Sequence, residues 1–350
     1  MKRENIKRKK RFVCLAAGLL CLSLTACGEK EPQGILQGVP ISAEEDGGEV
    51  VRKSVEDSLA EKTMEASDLT RDAVDFEKEE LTPEDVTATG DVVATGNAVN
   101  LLQADGNTLE TRVMTPAGYE RVEAPEGSFE EYLRQYPMKP AGAKVHLYDG
   151  SEKGNQSAHV AVFDLPIEDY DLQQCADSVM RMYAEYFWAT EQYDRIKFHF
   201  TNGFLVEYTK WRDGNRITVN GNNVSWIKSK SKDTSYECFV RYLKTIFCYA
   251  GTLSMEKESE PTVTTLLKAG DAFLYGGSPG HVVMVVDVCE NEDGKRAFLL
   301  AQGYMPAQEF HLLKNERHPE DPWYYQEEIK YPFSTPEYTF QEGSLRSLDY

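Results

Sequence analysis

His281 is the residue whose setting says most about chemistry. It follows Ser278-Pro279-Gly280 and opens the apolar run Val282-Val283-Met284-Val285-Val286, which puts an imidazole at the head of a strand. The turn Asn291-Glu292-Asp293-Gly294 folds that strand back onto the segment 296–302. Pairing Glu290 with Lys295 and counting outward sets Gln302 opposite Val283. Side chains alternate with period two, so Val283 shares a face with His281, and Gln302 becomes a diagonal neighbour able to orient the ring. Asp287 falls on the same face, but about 20 Å along the strand, too far to serve.

Thiols are the candidate nucleophiles. Cys175 follows Gln173-Gln174 early in the periodic segment 171–190, and Cys238 lies in the first turns of the segment 234–250. A helix N-terminus and a nearby imidazolium both acidify a thiol. Cys175 also belongs to the apolar stripe Leu172, Cys175, Val179, Tyr183 and Tyr186, which is equally the pattern of a core residue. Cys238 competes because its helix leads directly into the strand opened by Gly270-Asp271. His146, His159 and His199 stand singly on strands without metal-ligand spacing, and no Cys-x-x-Cys occurs, so neither a metal nor another cofactor is expected. Lys210, Trp211 and Arg216, close to Tyr208, and Tyr304 beyond Gln302 are the candidates for walls of a substrate groove.

The elements that must hold these residues read as two long helices, 171–190 and 234–250, and a short one opened by Ser128 with Glu131. Thr234 with Glu237 has the form of a capping box, and Gly251 stands just past that helix's end. Strands are expected at 144–148, 158–164, 195–200, 271–275, 281–289 and 296–302. The class is α+β, an antiparallel sheet with packed helices. Cys175, Cys238, Cys248 and Cys289 have no close spacing and are expected as free thiols, with at most one bridge.

Charge is unevenly distributed. The 350 residues hold 58 acidic against 38 basic side chains, a net charge of −20. That excludes a general nucleic-acid binder, which needs a basic face to displace counterions. Lys2, Arg3, Lys7, Arg8, Lys9, Lys10 and Arg11 nevertheless precede an apolar run over 12–24. The run is short for a bilayer span and suits the core of a signal peptide. It ends Leu24-Thr25-Ala26-Cys27-Gly28, which resembles a bacterial lipobox. The resemblance implies a lipoprotein signal peptide over 1–26, lipid on the sulfur of Cys27, and export to the extracytoplasmic face of the membrane. Between residues 29 and 91 there are 19 acids against six bases, and Phe76 is the single aromatic. Such a stretch buries too little apolar surface to offset its ordering entropy. Residues 27–110 are therefore expected to be an acidic disordered stalk, and 111–350 the globular α+β domain.

Two further resemblances bear on function. Lys268-Ala269-Gly270-Asp271 followed by Gly280-His281 is similar to the second half of NlpC-type and CHAP cysteine amidohydrolases. This resemblance implies a papain-like core, His281 as general base and a helix-borne cysteine as nucleophile. Gln174-Cys175 resembles the start of the CHAP pattern, which implies Gln174 as an oxyanion donor. Glu237-Cys238 departs from the Asp-Cys-Ser-Gly of NlpC-type helices, with Phe239 and Val240 in place of the small pair. LQQCADSVMRMYAEYFW at 172–188, GGSPGHVVMVVDV at 276–288, LLAQGYMPAQEFH at 299–311 and DPWYY at 321–325 are identified with domain-of-unknown-function family 4846, exported bacterial proteins without an assigned activity. Its pattern includes the Gln-Gln-Cys element and lacks a cysteine at 238, which favours Cys175. The expectation is a lipid-anchored cell-envelope protein with a divergent cysteine hydrolase domain, an amidase or peptidase. Its site would comprise Cys175, His281, Gln302 and Gln174, with Cys238 as the fallback nucleophile. The expected partners are the membrane, through Cys27, and wall peptide or a similar envelope polymer. The alternative is a non-catalytic envelope-binding module of the same fold.

Overall fold

The structure is a computed structural model and describes residues 100–350 apart from Asp349. The leader, Cys27 and nearly all of the expected stalk lie outside the described residues. Helix α1 (Leu109–Arg112), strand β1 (Tyr119–Arg121) and α2 (Phe129–Arg134) lead to β2 (His159–Val162) and the long helix α3 (Cys175–Ala189). Then come β3 (Lys197–His199), β4 (Leu205–Glu207), α4 (Tyr208–Arg212), β5 (Asn215–Asn220) and β6 (Asn223–Lys228). Helices α5 (Tyr236–Tyr249) and α6 (Thr252–Lys257) precede β7 (Ser259–Pro261), β8 (Ala272–Tyr275), β9 (His281–Asn291) and β10 (Arg296–Gln302). The chain closes with β11 (His311–Leu313), β12 (Tyr324–Tyr325), β13 (Phe333–Ser334), β14 (Thr339–Phe340) and β15 (Leu345–Leu348).

The class is α+β. A 9-stranded sheet runs β2-β11-β10-β9-β8-β15-β7, with β1 added on β9 and β12 on β10. All of its strand pairs are antiparallel. Strand β9 is apolar along most of its length because both faces are covered. On one face, Val179, Met180 and Phe187 of α3, with α5 behind, join a cluster with Val282, Met284, Val286, Leu299 and Ala301. On the other, Phe273, Val283, Val285 and Leu300 lie in a second cluster with Phe333 and Phe340 of the β13–β14 hairpin.

Local signals account for the helix starts. Ser128 Oγ accepts from the Glu131 amide at 3.2 Å, as a cap should. Helix α5 begins one residue later than the capping-box reading, because Ser235 rather than Thr234 caps it, accepting from Cys238 N at 3.1 Å. The expected strand at 144–148 is replaced by isolated bridges, His146 to Glu152 and Leu147 to Gln308. Leu147 N bonds Ser151 O at 2.8 Å, so this segment turns back on itself instead of joining the sheet. Cys175, Cys238, Cys248 and Cys289 are buried and in no disulfide.

The β9–β10 register decides what faces what. Near the turn it is one residue off the expected pairing, with Arg296 opposite Glu290. A bulge then intervenes, since Leu299 pairs with Asp287 and Leu300 with Val285, leaving Val286 as the extra residue. Past the bulge Ala301 faces Met284, and one further step sets Gln302 against Val283, as expected. The bulge also corrects the placement of Asp287. It turns to the helix-covered face, where its carboxylate receives Arg121 Nε at 2.6 Å and Arg134 Nε of α2 at 2.7 Å. His281 keeps the opposite face.

Candidate functional site

Strand pairing makes His281 and Gln302 neighbours, and they bond. His281 Nε2 lies 2.8 Å from Gln302 Oε1, with both side chains buried. His281 Nδ1 is buried and has no hydrogen-bond partner among the described residues. The Gln302 Nε2 atom donates to Glu337 Oε2 at 2.7 Å and lies 3.4 Å from His311 Nε2. His311 stands opposite Gln302 on β11, and its Nδ1 is held by the Glu309 carbonyl at 2.8 Å. Lys153 Nζ pairs with the same Glu337 oxygen and lies 3.4 Å from His311 Nε2. A line of polar side chains, Lys153–Glu337–Gln302–His281, thus runs beneath the β13–β14 turn.

Burial sets the charge states. Desolvation pushes the His281 imidazole down to about 4, against smaller raising effects from Gln302 and Glu337. The ring is neutral at pH 7, so it cannot acidify a thiol as an imidazolium; what it offers is a basic nitrogen. Burial also lowers His311. For Glu337 burial works upward, yet the adjacent His311 and Lys153 outweigh it and hold the carboxyl at about 2.

Aromatic rings close over the imidazole. Tyr304 meets it edge-on at 5.0 Å between centroids, Tyr338 lies at 4.8 Å and Phe340 at 6.1 Å. His281 is 1 % exposed as a result.

Cys175 reaches this neighbourhood from the end of the sheet. It is the first residue of α3, whose body packs on the face opposite His281. Stacking helix on sheet, as the apolar stripe suggested, therefore does not by itself bring thiol and imidazole together. Gly303, just past Gln302, makes a close approach to the start of that helix. A Cβ there would meet Ser178 Oγ at 2.4 Å and Gln174 O at 3.0 Å, so only glycine lets β10 end against the first turn of α3. Cys175 and Gln174 line a cleft of about 220 Å³ with Thr252, the loop 277–280 and Met305. Gly280 and Met305 adjoin His281 and Tyr304 in the chain. Burial raises the phenols of both capping tyrosines. Glu337 and then Cys175 add to this at Tyr304, and Tyr275 and Cys175 at Tyr338. The thiol is thus within electrostatic reach of both rings that touch His281. Gln174 Nε2 donates to Asp171 Oδ1 at 3.1 Å.

The other candidates lie apart from the cleft. Cys238 is fully buried, and burial followed by Asp233 raises its thiol, against Arg216 and Arg241. Trp211 is buried with its indole N–H donating to the Cys238 carbonyl at 3.2 Å. The Arg216 guanidinium covers its ring at 4.3 Å, and Lys210 pairs with Glu207. Trp211 and Arg216 pack beside α5, Lys210 is exposed, and none of the three lines the cleft. Lys153, Glu337 and His311 are the members that spacing did not reveal. Only His311 had a signal, as the last residue of the 299–311 motif. Among the described residues no His, Cys, Asp and Glu side chains group as a metal site, and no helix is long and apolar enough to cross a membrane.

An α+β domain with a covered antiparallel sheet, a buried His–Gln pair and a thiol in the adjoining cleft is the class that fold and site define. Residues 109–347 match the model of the family described as Domain of unknown function (4846), and the chain belongs to that family. No curated protein and no solved structure matches it.

Proposed function

We propose that this is a lipid-anchored cell-envelope protein whose domain is a divergent papain-like cysteine hydrolase, related to the NlpC-type and CHAP amidohydrolases and acting on an amide of wall peptide or a similar polymer. The observation that carries the reading is the His281–Gln302 bond at 2.8 Å, which leaves the buried Nδ1 without a partner close to a cleft lined by Cys175. In this reading Cys175 Sγ attacks the amide carbonyl as His281 takes its proton. The amine leaves with that proton, and water then releases the acyl group from sulfur. Backbone N–H groups at the start of α3 and the second Gln174 amide hydrogen would stabilise the oxyanion.

The test is alkylation of Cys175 by iodoacetamide at pH 7, followed by peptide mass spectrometry. Cys175 should react at least about tenfold faster in the parent than in His281→Ala, and amide hydrolysis should fall about 100-fold or more in that variant. Equal labelling rates, with Cys238→Ala as the control, would sink the hydrolase. The second reading, a non-catalytic envelope-binding module, is favoured by the burial of His281 at 1 % exposure and would then stand.

Anchoring is the other half of the proposal. Two acyl chains on the sulfur of Cys27 would hold the protein durably, where a single chain is marginal. Cys27→Ser is expected to yield an uncleaved, unlipidated precursor. A variant that migrates and partitions into detergent like the parent refutes the lipobox.

A further inference from the structure

We propose that Glu337, held by Lys153, is a positioning residue that fixes which nitrogen of His281 carries the proton. The inference rests on the hydrolase reading for what the free lone pair does, and on hydrogen-bond geometry alone for where it lies. A carboxylate only accepts hydrogen bonds. The Gln302 atom 2.7 Å from Glu337 must therefore be its NH2, which decides an amide orientation that is otherwise open. Gln302 then turns its carbonyl oxygen to His281 Nε2 at 2.8 Å. A carbonyl oxygen needs a donor, so Nε2 carries the hydrogen and Nδ1 keeps the lone pair.

The rest of the line secures Glu337 itself. Lys153 Nζ donates to the carboxylate, and Asn155 Nδ2 donates to its other oxygen at 3.3 Å. His311 does not displace them: its Nδ1 is held by the Glu309 carbonyl at 2.8 Å, and its Nε2 lies 3.8 Å from the Glu337 oxygen, farther than the Lys153 ammonium. The Lys153 and Glu337 side chains are 6 % and 9 % exposed, and an ion pair so largely withdrawn from water holds only with such supporting bonds. The proton on His281 is thus set by a carboxylate two links away, on the C-terminal hairpin.

The experiment is a long-range 1H–15N spectrum of the histidine rings in the 15N-labelled chain at pH 7, with His281 assigned by its loss in His281→Asn. The parent is expected to show His281 protonated at Nε2 and unprotonated at Nδ1. In Glu337→Gln the new amide can present NH2 to Gln302, so Gln302 can flip and the Nδ1–H form should appear beside the first. Lys153→Met disturbs the same buried pair but keeps the acceptor, and its spectrum should stay like the parent's. A parent protonated at Nδ1 overturns the proposal, as does a folded Glu337→Gln with an unchanged ring. If Glu337→Gln does not fold, Gln302→Leu breaks the link one step later and must also bring in the Nδ1–H form; an unchanged ring there overturns the proposal as well. Slow Cys175 alkylation with Nε2–H confirmed would end the hydrolase reading and leave the proton assignment intact.

Discussion

Asp287→Ala is expected to destabilise the domain by about 3–5 kcal/mol, the usual cost of removing one partner from a buried ionic cluster. Asp287 is 0 % exposed and is the common acceptor for Arg121 of β1 and Arg134 of α2. Without it two guanidinium groups remain in a largely dry site with a single carboxylate's charge missing. Each keeps a backbone carbonyl, Val113 O for Arg121 and Val288 O for Arg134, which places the loss toward the lower end. Chemical denaturation of parent and variant measures it, and a loss under about 1 kcal/mol would show that the carboxylate is not needed to compensate them. Replacing Asp287, Arg121 and Arg134 together with apolar residues of similar volume should recover most of the loss, since a buried ionic cluster seldom outperforms good packing.

Acidification from pH 7 to pH 4 is expected to remove about 3 kcal/mol of stability through His281 alone. The sign follows from proton binding. The unfolded imidazole takes a proton near its ordinary 6.5, whereas burial holds the folded one at about 4. Between those values the unfolded state binds more protons, so stability rises with pH and the contribution is complete above 6.5. It is lost as pH falls from 6.5 through 4. His311, also lowered by burial, adds to the slope, while Glu337, held at about 2, acts below 4.5. His281→Asn keeps a donor for Gln302 and removes the titration. The denaturation free energy of that variant should therefore fall about 3 kcal/mol less than the parent's over the same range. Parallel curves for the two proteins would mean that His281 is not buried as a neutral ring.

Several of these relations are legible in the sequence. Strand alternation is a local property, so the pairing of Gln302 beside His281 follows from a turn position and a count. The count was one residue off at Glu290 and right at Val283, because the Val286 bulge absorbed the difference. Nothing in Val285-Val286-Asp287 marks a bulge, since every residue there suits a regular strand. The same bulge carried Asp287 to the other face, where two arginines from separate elements select it. Helix positions were legible from apolar spacing and caps within a residue or a few. The two-residue strands β13 and β14 had too few residues to show a period.

What the sequence by itself determined is the set of relations between residues near one another in the chain: the α+β class, the two long helices, the acidic composition, and a histidine and glutamine on one face of a hairpin. Tertiary structure alone decided what closes around that pair. Lys153 and Glu337 stand 184 positions apart and share neither motif nor periodicity. A buried charge takes whatever partner the packed fold brings to it, and that choice is made by desolvation rather than by spacing. Likewise Cys175 was visible as a thiol early in a helix. That α3 starts at the rim of the sheet, against Gly303, rather than over the imidazole was settled only when the helix face and the sheet ends had to fit together.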